Sequence, residues 1–506
     1  MIRDMTYALV VAASLVGTLR WLRIAQREHY IAGSVTRFAA RWWAAGLQNR
    51  ALGCALLLGV GAAWAGLWEG ALAAAAISLA APTGLSYRGR SSKLVWTRRL
   101  RTIAAVSGVF TIAIAVCGLF GNFQLGVGAT LAVSTALVTD LALAVTIPLE
   151  LRIGSKFVDK ASRRMQEISP RVVGITGSFG KTSTKFYASH ILSAKYVTVA
   201  SPASFNNVGG LSRAVNERLT PGTEVFVAEM GTYGPGEIRA LCKWLRPEIS
   251  VITALGPVHL ERMGSIENIA KAKAEIVEDA ATAIINIDYP ELAAVAKDYR
   301  GQGRLITCST QDSHADVCVT SDDSKLSVSI AGNLMTTSDL PGIFPGNLAC
   351  AIAIAVALNI PADDIAGRLA TLPKPEHRQT VQVAPNGVTV IDDTYNSNPD
   401  GARSALNALA SAGSGHRRVL VTPGMVELGK EQARANEEFA RQAAESATDI
   451  LIVGQTNRRA LERGASRGQA HVEWCANRSE AVAWVRSNLR PGDAVLYEND
   501  LPDHYP

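Results

Sequence analysis

Closely spaced cysteines are missing from this sequence. Its seven cysteines are scattered along 506 residues, so their spacing offers no zinc site. Scattered cysteines are also typical of a protein that works in a reducing cytosol. They are Cys54, Cys117, Cys242, Cys308, Cys318, Cys350 and Cys475.

A strong net charge is missing as well. The formal net charge is only +6, and the excess arginine lies mainly between apolar segments of the first 150 residues. The arginines therefore bear on membrane topology, and we expect no nucleic-acid partner.

Charged residues are rare in five apolar stretches before residue 150. Several of these are close to the minimum of about 17 residues that spans a bilayer. Arginine-rich gaps alternate with gaps without basic residues, as the positive-inside rule requires for five spans with an external N-terminus. The alternatives are a soluble alanine-rich domain and, for the first stretch alone, a cleaved signal peptide. The stretches cover about 5–19, 51–67, 70–86, 103–120 and 128–148.

Asp140 lies within the fifth apolar stretch. A carboxylate at such a position is a functional-site candidate. No second acidic residue accompanies it in that stretch. We therefore favour the other interpretation, a partner for a basic side chain inside the helical bundle.

The most informative motif is the run Gly-Ile-Thr-Gly-Ser-Phe-Gly-Lys-Thr-Ser-Thr over residues 174–184. Apolar residues before it predict a strand and those after it a helix, so backbone N–H groups of the turn would face a phosphate. Lys181 would contact the β- and γ-phosphates, and Thr182 would ligate Mg²⁺. Ile175 stands where the common pattern has glycine, and a chance turn is the alternative. The predicted nucleotide-binding residues are Gly177, Ser178, Gly180, Lys181, Thr182 and Ser183.

Residues further along predict a metal site beside this turn. From residue 171 onward strands and helices alternate, which is typical of an α/β domain with a mainly parallel sheet. One predicted strand ends at Glu229, and the next leads to His259. Ligands of such sheets bind at the carboxyl ends of strands, so Glu229, His259 and Thr182 would converge on Mg²⁺–ATP. Each is weak alone, since such a glutamate is often only solvated and a lone histidine is more often structural.

These residues and their order resemble the Mur ligase family, in particular the branch that adds D-alanyl-D-alanine to UDP-N-acetylmuramoyl-tripeptide. The resemblance covers about residues 165–500. Besides the glycine-rich run, the matching blocks are 204–209, 228–231, 235–238, 256–261, 272–276, 286–288, 392–399 and 423–429.

The resemblance implies an ATP-dependent ligase that joins a carboxylate to an amine through an acyl phosphate. It implies that Thr182 and Glu229 hold one Mg²⁺, and that His259 and Lys273 hold or support a second, with Lys273 carbamylated. The catalytic candidates are thus Lys181, His259 and Lys273.

The resemblance also implies an adenine contact at Asn286, an interdomain arginine at Arg378 and a ribose partner at Asp392 or Asp393. A polar turn after a strand is the alternative for the run that begins at Asp392. The implied substrate-binding residues are Asn206, Asn207, Tyr395, Asn396 and Asn398.

Departures from the family pattern concern the substrates. Soluble members begin with a domain that grips the UDP part of the substrate, whereas apolar stretches occupy that place here. The His-Asn usual before the linking helix is not evident in 340–347. The Lys-Gly-Ser-type turn after the last strand is replaced by Tyr497-Glu498-Asn499-Asp500, which suggests a changed amine.

We expect a transmembrane helical domain over 1–155, a central ATP-binding α/β domain over 165–340 and a C-terminal α/β domain over 341–506. The first hypothesis is a multi-pass membrane ligase with cytoplasmic α/β domains. It would join an amino acid or dipeptide to a cell-envelope or lipid-linked carboxylate, in cell-envelope or peptidoglycan biosynthesis. The second is a muropeptide ligase whose spans are only a tether. A third, a transporter or scaffold with a nucleotide sensor, predicts loss of Glu229, His259 or Lys273, and all three are present.

Overall fold

The computed structural model of the chain describes most of its length. The described residues are 1–44, 46–87, 94–120, 123–202, 205–258, 260–299, 303–322, 325–340, 342–373, 380–394, 399–412, 416–501 and 505. They form two compact units, one built on residues 1–153 and one of residues 154–500. The boundary falls within one long helix.

The first unit is helical. Alanine, leucine, valine and glycine dominate its longer helices, whereas one short helix is amphipathic and buries Val35, Phe38 and Trp42 while exposing Arg37 and Arg41. The helices in the described part of this unit are α1 (Ile2–Arg27), α2 (Ser34–Ala44), α3 (Gly46–Trp64), α4 (Trp68–Ala80), α5 (Arg98–Gly118), α6 (Gln124–Val133) and α7 (Thr135–Ile168), which continues into the second unit.

The helical unit has fewer candidate membrane spans than the five we expected. Among the described residues, α1 and α5 are long and apolar enough to cross a bilayer, and α6 with α7 adds a third only if this pair, bent by 72°, is one span. Helix α4 has 13 residues, about 20 Å at 1.5 Å per residue, against a hydrocarbon core of about 30 Å. The first turns of α3 carry Gln48, Asn49 and Arg50, which shorten its apolar part. The expected number is therefore corrected to two or three.

Helices α1 and α5 run antiparallel. Near one end the Tyr7 hydroxyl donates to the carbonyl of Ala115 at 2.5 Å. Near the other end the Gln26 amide exchanges two hydrogen bonds with the backbone of Val95, at 2.8 and 3.0 Å. The arginine-rich end of α1 therefore lies at the same level as the arginine-rich start of α5.

Two buried charges in this unit interact with helix ends. The Arg20 guanidinium donates to carbonyl oxygens at the end of α4, including that of Leu79 at 2.7 Å. The Asp140 carboxylate accepts from the N–H groups of Gly33 at 2.9 Å and Thr36 at 2.7 Å, at the start of α2. The helix dipole favours a cation such as Arg20 at the C-terminal end of α4 and an anion such as Asp140 at the N-terminal end of α2. The backbone partners of Asp140 replace the basic side chain that we expected.

The second unit begins with a mixed sheet that has nine strands among the described residues, in the order β2-β3-β1-β4-β5-β6-β7-β8-β9. Neighbours from β2 to β7 are parallel, and β8 and β9 are added antiparallel. The strands are β1 (Arg171–Thr176), β2 (Thr198–Ala200), β3 (Val225–Glu229), β4 (Ile249–Ile252), β5 (Thr282–Asn286), β6 (Arg304–Ser309), β7 (Val317–Asp322), β8 (Lys325–Ile330) and β9 (Asn333–Asp339).

Helices cover both faces of this sheet, which is why β1, β3 and β4 are apolar along their length. One core includes Tyr187 and Ile191, and the other includes Leu211 and Leu241. The helices are α8 (Lys181–Leu192), α9 (Val208–Arg218), α10 (Glu237–Leu245), α11 (Leu260–Met263), α12 (Ile266–Ala274), α13 (Pro290–Tyr299), α14 (Pro345–Ala357) and α15 (Ala362–Leu369).

A second sheet follows, with six strands among the described residues in the order β10-β11-β15-β12-β13-β14. Only β10 is antiparallel to its neighbour. The expected α/β architecture of the chain after residue 171 is confirmed. The elements are β10 (Thr380–Val383), β11 (Thr389–Asp393), α16 (Pro399–Ala412), β12 (Arg418–Thr422), α17 (Gln432–Ser446), β13 (Asp449–Val453), α18 (Arg458–Ala465), β14 (His471–Cys475), α19 (Arg478–Asn488) and β15 (Ala494–Glu498).

Candidate active site

The glycine-rich turn joins β1 to α8 at the carboxyl edge of the nine-stranded sheet. The N–H of Ser178 donates to the carbonyl of Ala254 at 2.8 Å, and its hydroxyl donates to the carbonyl of Gly256 at 3.1 Å. The turn is thus fastened to the segment that follows β4. Because Gly180 is the N-cap of α8 and has no side chain, no N-cap side chain bonds to the first N–H groups of this helix, where anions are stabilised.

The turn has no room for side chains at two glycines. Gly180 has a φ of +80°, and a Cβ there would lie 2.0 Å from Oδ1 of Asn347. Gly177 has a φ of +155°, and a Cβ there would lie 2.1 Å from Oγ1 of Thr253. Both positions therefore require glycine.

Lys181 begins α8 and folds back over the turn. Its Nζ donates to the carbonyl of Gly177 at 2.8 Å and to that of Ser178 at 3.4 Å. Ser183, another predicted nucleotide-binding residue two positions after Lys181, is buried on α8. The ammonium group of Lys181 is therefore held beside the N-terminus of the helix.

A buried carboxylate lies beside the first turn of α8. Glu229 ends β3 and is only 3% exposed. Its Oε2 accepts hydrogen bonds from Oγ1 of Thr182 and from Nζ of Lys185, both at 2.9 Å. Nδ2 of Asn206 lies 3.5 Å from Oε1, and the Ser201 hydroxyl accepts from the Glu229 N–H at 3.1 Å. The predicted neighbours Thr182 and Glu229 are thus brought together, whereas Lys185 and Ser201 were missed.

The charge of Glu229 is balanced by two ammonium groups. Burial alone raises the pKa of this carboxyl, but attraction from Lys185 and then Lys181, with the hydrogen bonds from Lys185 and Thr182, outweighs it, so the pKa is lowered. Glu229 is therefore a carboxylate at neutral pH.

Lys273 lies on α12 and is 4% exposed. Burial, with a smaller contribution from repulsion by Lys181, lowers the pKa of its amine well below the usual range of a lysine. An amine with a lowered pKa keeps its lone pair at lower pH and is a better nucleophile there. Lys271, two residues earlier on the same helix, is exposed.

Glu275, directly after α12, links two of the sequence blocks. Its carboxylate accepts from the N–H of Gly236 at 2.6 Å and from that of Arg239 at 3.1 Å, at the start of α10. A carboxylate is stabilised at a helix N-terminus. The block around Lys273 and the block over 235–238 are therefore joined by a structural contact.

Two of the predicted ligand-binding asparagines have local partners. The Asn286 side chain donates to the carbonyl of Thr253 at 2.9 Å and accepts from the N–H of Asp288 at 3.1 Å. The Asn207 side chain caps α9 by accepting from the N–H of Gly210 at 2.9 Å. Both asparagines lie at the carboxyl edge of the sheet. Their side chains hold the local backbone in place, and their contacts with ligands stay predictions.

The second sheet carries acidic residues at its own carboxyl edge. Asp392 and Asp393 end β11, and Asp392 accepts from the N–H and the hydroxyl of Thr394, at 3.1 and 2.6 Å. Glu498, which ends the neighbouring strand β15, is fully buried and accepts from the Thr422 hydroxyl at 2.7 Å. In the sequence, the turn after β15 differs from the family pattern, but the burial of Glu498 was not predicted.

Several predicted site residues lie outside the described residues. They are His259, Arg378, Tyr395, Asn396 and Asn398. In the part of the chain that the structure does describe, no three His, Cys, Asp or Glu side chains form a group typical of a metal site.

The variant Gly180→Ala tests whether the glycine-rich turn binds phosphate. Alanine is strained at a φ of +80° and its Cβ would collide with Asn347, so we expect ATP affinity to fall at least about tenfold. Fluorescence titration of the detergent-purified protein with a labelled ATP analogue measures this. Gly209→Ala is the control, since its nearest neighbour would be 3.7 Å away. Unchanged affinity of Gly180→Ala would refute the phosphate role of the turn.

Two protein-family models match the second unit. The Mur ligase middle domain matches residues 175–355, and the glutamate ligase domain of Mur ligases matches residues 377–497. Neither model extends over residues 1–153, which form the helical unit.

Curated relatives and solved structures agree with these matches. The UDP-N-acetylmuramoyl-tripeptide–D-alanyl-D-alanine ligase of Mycobacterium tuberculosis is 32% identical over 366 residues, which cover 64% of this chain and 69% of the relative. The Escherichia coli ligase of the same name is 31% identical, with 65% and 74% covered. The crystal structure of MurF from Acinetobacter baumannii has a TM-score of 0.59 at 24% identity and covers 68% of this chain and 77% of that one.

MurF from Thermotoga maritima, solved in complex with ADP, also has a TM-score of 0.59, at 23% identity. It covers 69% of this chain and 80% of its own. At these identities the two structures establish the fold, whereas the curated relatives establish the relationship. The chain therefore belongs to the Mur ligase family, whose members form amide bonds with ATP and Mg²⁺ as cofactors.

Proposed function

We propose that this protein adds D-alanyl-D-alanine to a UDP-N-acetylmuramoyl tripeptide, as the relatives that are 31–32% identical are named for doing. One observation carries the proposal. The Glu229 carboxylate lies 2.9 Å from the Thr182 hydroxyl, at the start of a helix that follows the glycine-rich turn. This is the arrangement that a nucleotide-dependent transfer needs. The same proposal includes three domains: a transmembrane domain over 1–155, a central ATP-binding domain over 165–340 and a C-terminal domain over 341–506.

The residues around Glu229 fit Mg²⁺. The donors are a hydroxyl and a carboxylate, which are hard oxygen ligands of the kind that Mg²⁺ prefers. The two donors are already in contact, since the Thr182 hydroxyl lies 2.9 Å from Oε2 of Glu229. Thr182 and Glu229 would hold one ion, and His259 and Lys273 would hold or support a second. When bound, Mg²⁺–ATP supplies the phosphoryl group and partly neutralises its charge.

Lys181 is assigned to the charge that develops during transfer. A substrate carboxylate oxygen forms a bond to the γ-phosphorus and ADP leaves, which produces an acyl phosphate. The dipeptide nitrogen then attacks the acyl carbon, phosphate leaves, and the nitrogen loses its extra proton. Because the Lys181 ammonium is held at the mouth of the turn, it can stabilise the transferred group without being reoriented.

Lys273 is assigned a carbamate. The lone pair of its neutral amine attacks the carbon of CO₂ and the nitrogen loses a proton, which leaves a carboxylate-like group. Its lowered pKa supports this assignment, since the reactive neutral amine persists to lower pH than in an exposed lysine. The product carries a negative charge near the Lys181 ammonium and provides oxygen ligands for a metal ion.

The remaining ligand contacts follow from the family resemblance. We assign nucleotide binding to Asn286, Arg378, Asp392 and Asp393. Either Asp392 or Asp393 would bind the ribose. Substrate binding is assigned to Asn206, Asn207, Tyr395, Asn396 and Asn398.

The helical unit is assigned to the membrane. Apolar side chains on its surface, among them Ile112 and Val116 on α5 and Leu141 and Val145 on α7, are at least one-third exposed. Large exposed apolar surfaces of this kind are unusual in a protein surrounded by water. We assign this unit as a multi-pass anchor and place the α/β unit in the cytoplasm, where ATP is available.

A lipid-linked carboxylate is the second candidate acceptor. It is favoured by the apolar stretches of the first 150 residues, which occupy the place of the domain that grips the UDP part of the substrate in soluble family members. A membrane anchor would also bring the site to a lipid-borne acceptor. The identity of the relatives outweighs these observations, and the muropeptide is therefore our main proposal.

The membrane assignment predicts where reporter fusions will lie. Alkaline phosphatase, which is active only outside the cytoplasm, should be inactive when fused after Lys160 and near residue 89, and active when fused near residue 122. The physical reason is the excess of arginine on the cytoplasmic side. An active fusion after Lys160 would contradict both the topology and the access to ATP.

The carbamate assignment predicts that Lys273→Ala lowers turnover by about a hundredfold or more, the usual cost of losing such electrostatic stabilisation. A short carboxylate such as acetate should restore part of the activity, because it can replace the carbamate. Lys271→Ala, on an exposed part of the same helix, should have nearly normal turnover. Equal damage from both changes, or no rescue of Lys273→Ala, would refute the assignment.

The substrate proposal predicts ATP-dependent phosphate release by the detergent-purified protein when UDP-N-acetylmuramoyl-tripeptide and D-alanyl-D-alanine are both present. Omitting either substrate is the control and should stop the release of phosphate. If this pair gives no turnover while an extract of bacterial lipids with the same dipeptide does, the lipid-linked acceptor replaces the muropeptide.

A further inference from the structure

Lys185 is a buried lysine to which neither the family resemblance nor the sequence pattern assigns a role. It lies one helical turn after Lys181 on α8, and its side chain is 6% exposed. Its Nζ lies 2.9 Å from Oε2 of Glu229, whose side chain is 4% exposed. The two charges therefore form a buried ion pair directly behind the glycine turn.

The two oxygens of Glu229 are not equally occupied. Oε2 accepts from both Thr182 and Lys185 at 2.9 Å. Among the described residues, Oε1 has only the long contact with Nδ2 of Asn206 at 3.5 Å. Oε1 is therefore the oxygen with lone pairs available to a metal ion, and any ion bound there shares its carboxylate with the Lys185 ammonium.

This arrangement opposes the binding of a bare divalent cation. The ammonium already neutralises the single charge of Glu229, and Lys181 lies nearby on the same helix face. Repulsion between a divalent ion and an ammonium a few ångströms away is strong where water is scarce. The triphosphate of a nucleotide brings several negative charges to the turn and reverses the local balance.

We propose that Lys185 is an internal counter-cation that makes metal binding at Glu229 conditional on a bound nucleotide. The inference rests on the proposed role of Glu229 as a metal ligand. Lys185 acts through Glu229 and need not touch the substrate, so it is a positioning residue. Its effect has a defined sign: without the lysine charge, the nucleotide-free protein binds a divalent cation more tightly. A lysine that only stabilised the fold would have the opposite effect or none.

Mn²⁺ binding to the full-length protein in detergent tests the proposal, followed by electron paramagnetic resonance without nucleotide and with saturating ADP. We expect ADP to tighten Mn²⁺ binding to the wild type at least tenfold. Lys185→Gln keeps a hydrogen-bond donor for Oε2 but removes the charge. It should bind Mn²⁺ at least tenfold more tightly than the wild type without ADP, and the effect of ADP should shrink accordingly.

The controls separate this effect from damage to the protein. Lys243→Gln removes an exposed lysine on α10 and should behave as the wild type. Lys185→Met is a second neutral variant, and ADP-binding stoichiometry reports the folded fraction of each preparation. Nucleotide-free Mn²⁺ affinity that is unchanged or weaker in the folded neutral variants would overturn the proposal.

A further variant distinguishes failure of this inference from failure of the proposed function. Glu229→Gln should abolish the tightened site in the Lys185→Gln background. If the tight Mn²⁺ site persists without the Glu229 carboxylate, the metal is bound elsewhere. The proposed role of Glu229 would then be wrong, and the inference about Lys185 would be overturned with it.

Discussion

The buried charge of Glu229 is the constraint on which the active-site structure depends. A carboxylate removed from water must be compensated by donors and positive charge. Thr182 and Lys185 from α8 supply them to one oxygen, and Asn206 approaches the other. The end of β3, the first turns of α8 and the segment before α9 are thus organised around one carboxylate. The same balance of charge determines which further cation the site accepts.

The helical unit compensates its buried charges differently. Arg20 and Asp140 interact with backbone groups at the ends of α4 and α2, where the helix dipoles favour them. Both charges thereby connect elements within the unit. This explains how charged residues are accommodated inside an apolar helical bundle.

The sequence predicted those parts of the site that depend on local patterns. A glycine turn between strand and helix has a characteristic spacing, and Glu229 directly follows an apolar strand. Lys185 was missed because a lysine in a polar helical run is typical of an exposed face, and its burial depends on a residue 44 positions away. The five expected spans became two or three because hydropathy does not reveal where a helix ends or bends, as at Ser134. The cap of Asn207 on α9 was missed, although asparagine is a preferred residue before a helix, and its substrate contact stays a prediction.

The central claim is that this chain joins a carboxylate to an amine through an acyl phosphate formed at the glycine turn. It is tested most directly with UDP-N-acetylmuramoyl-tripeptide whose terminal carboxylate carries ¹⁸O, together with ATP and D-alanyl-D-alanine. Mass spectrometry of the released phosphate then shows the route of the oxygen. The account predicts one ¹⁸O atom in each phosphate, because the carboxylate oxygen attacks phosphorus and departs with it. Phosphate without ¹⁸O, released while the amide product accumulates, would contradict it.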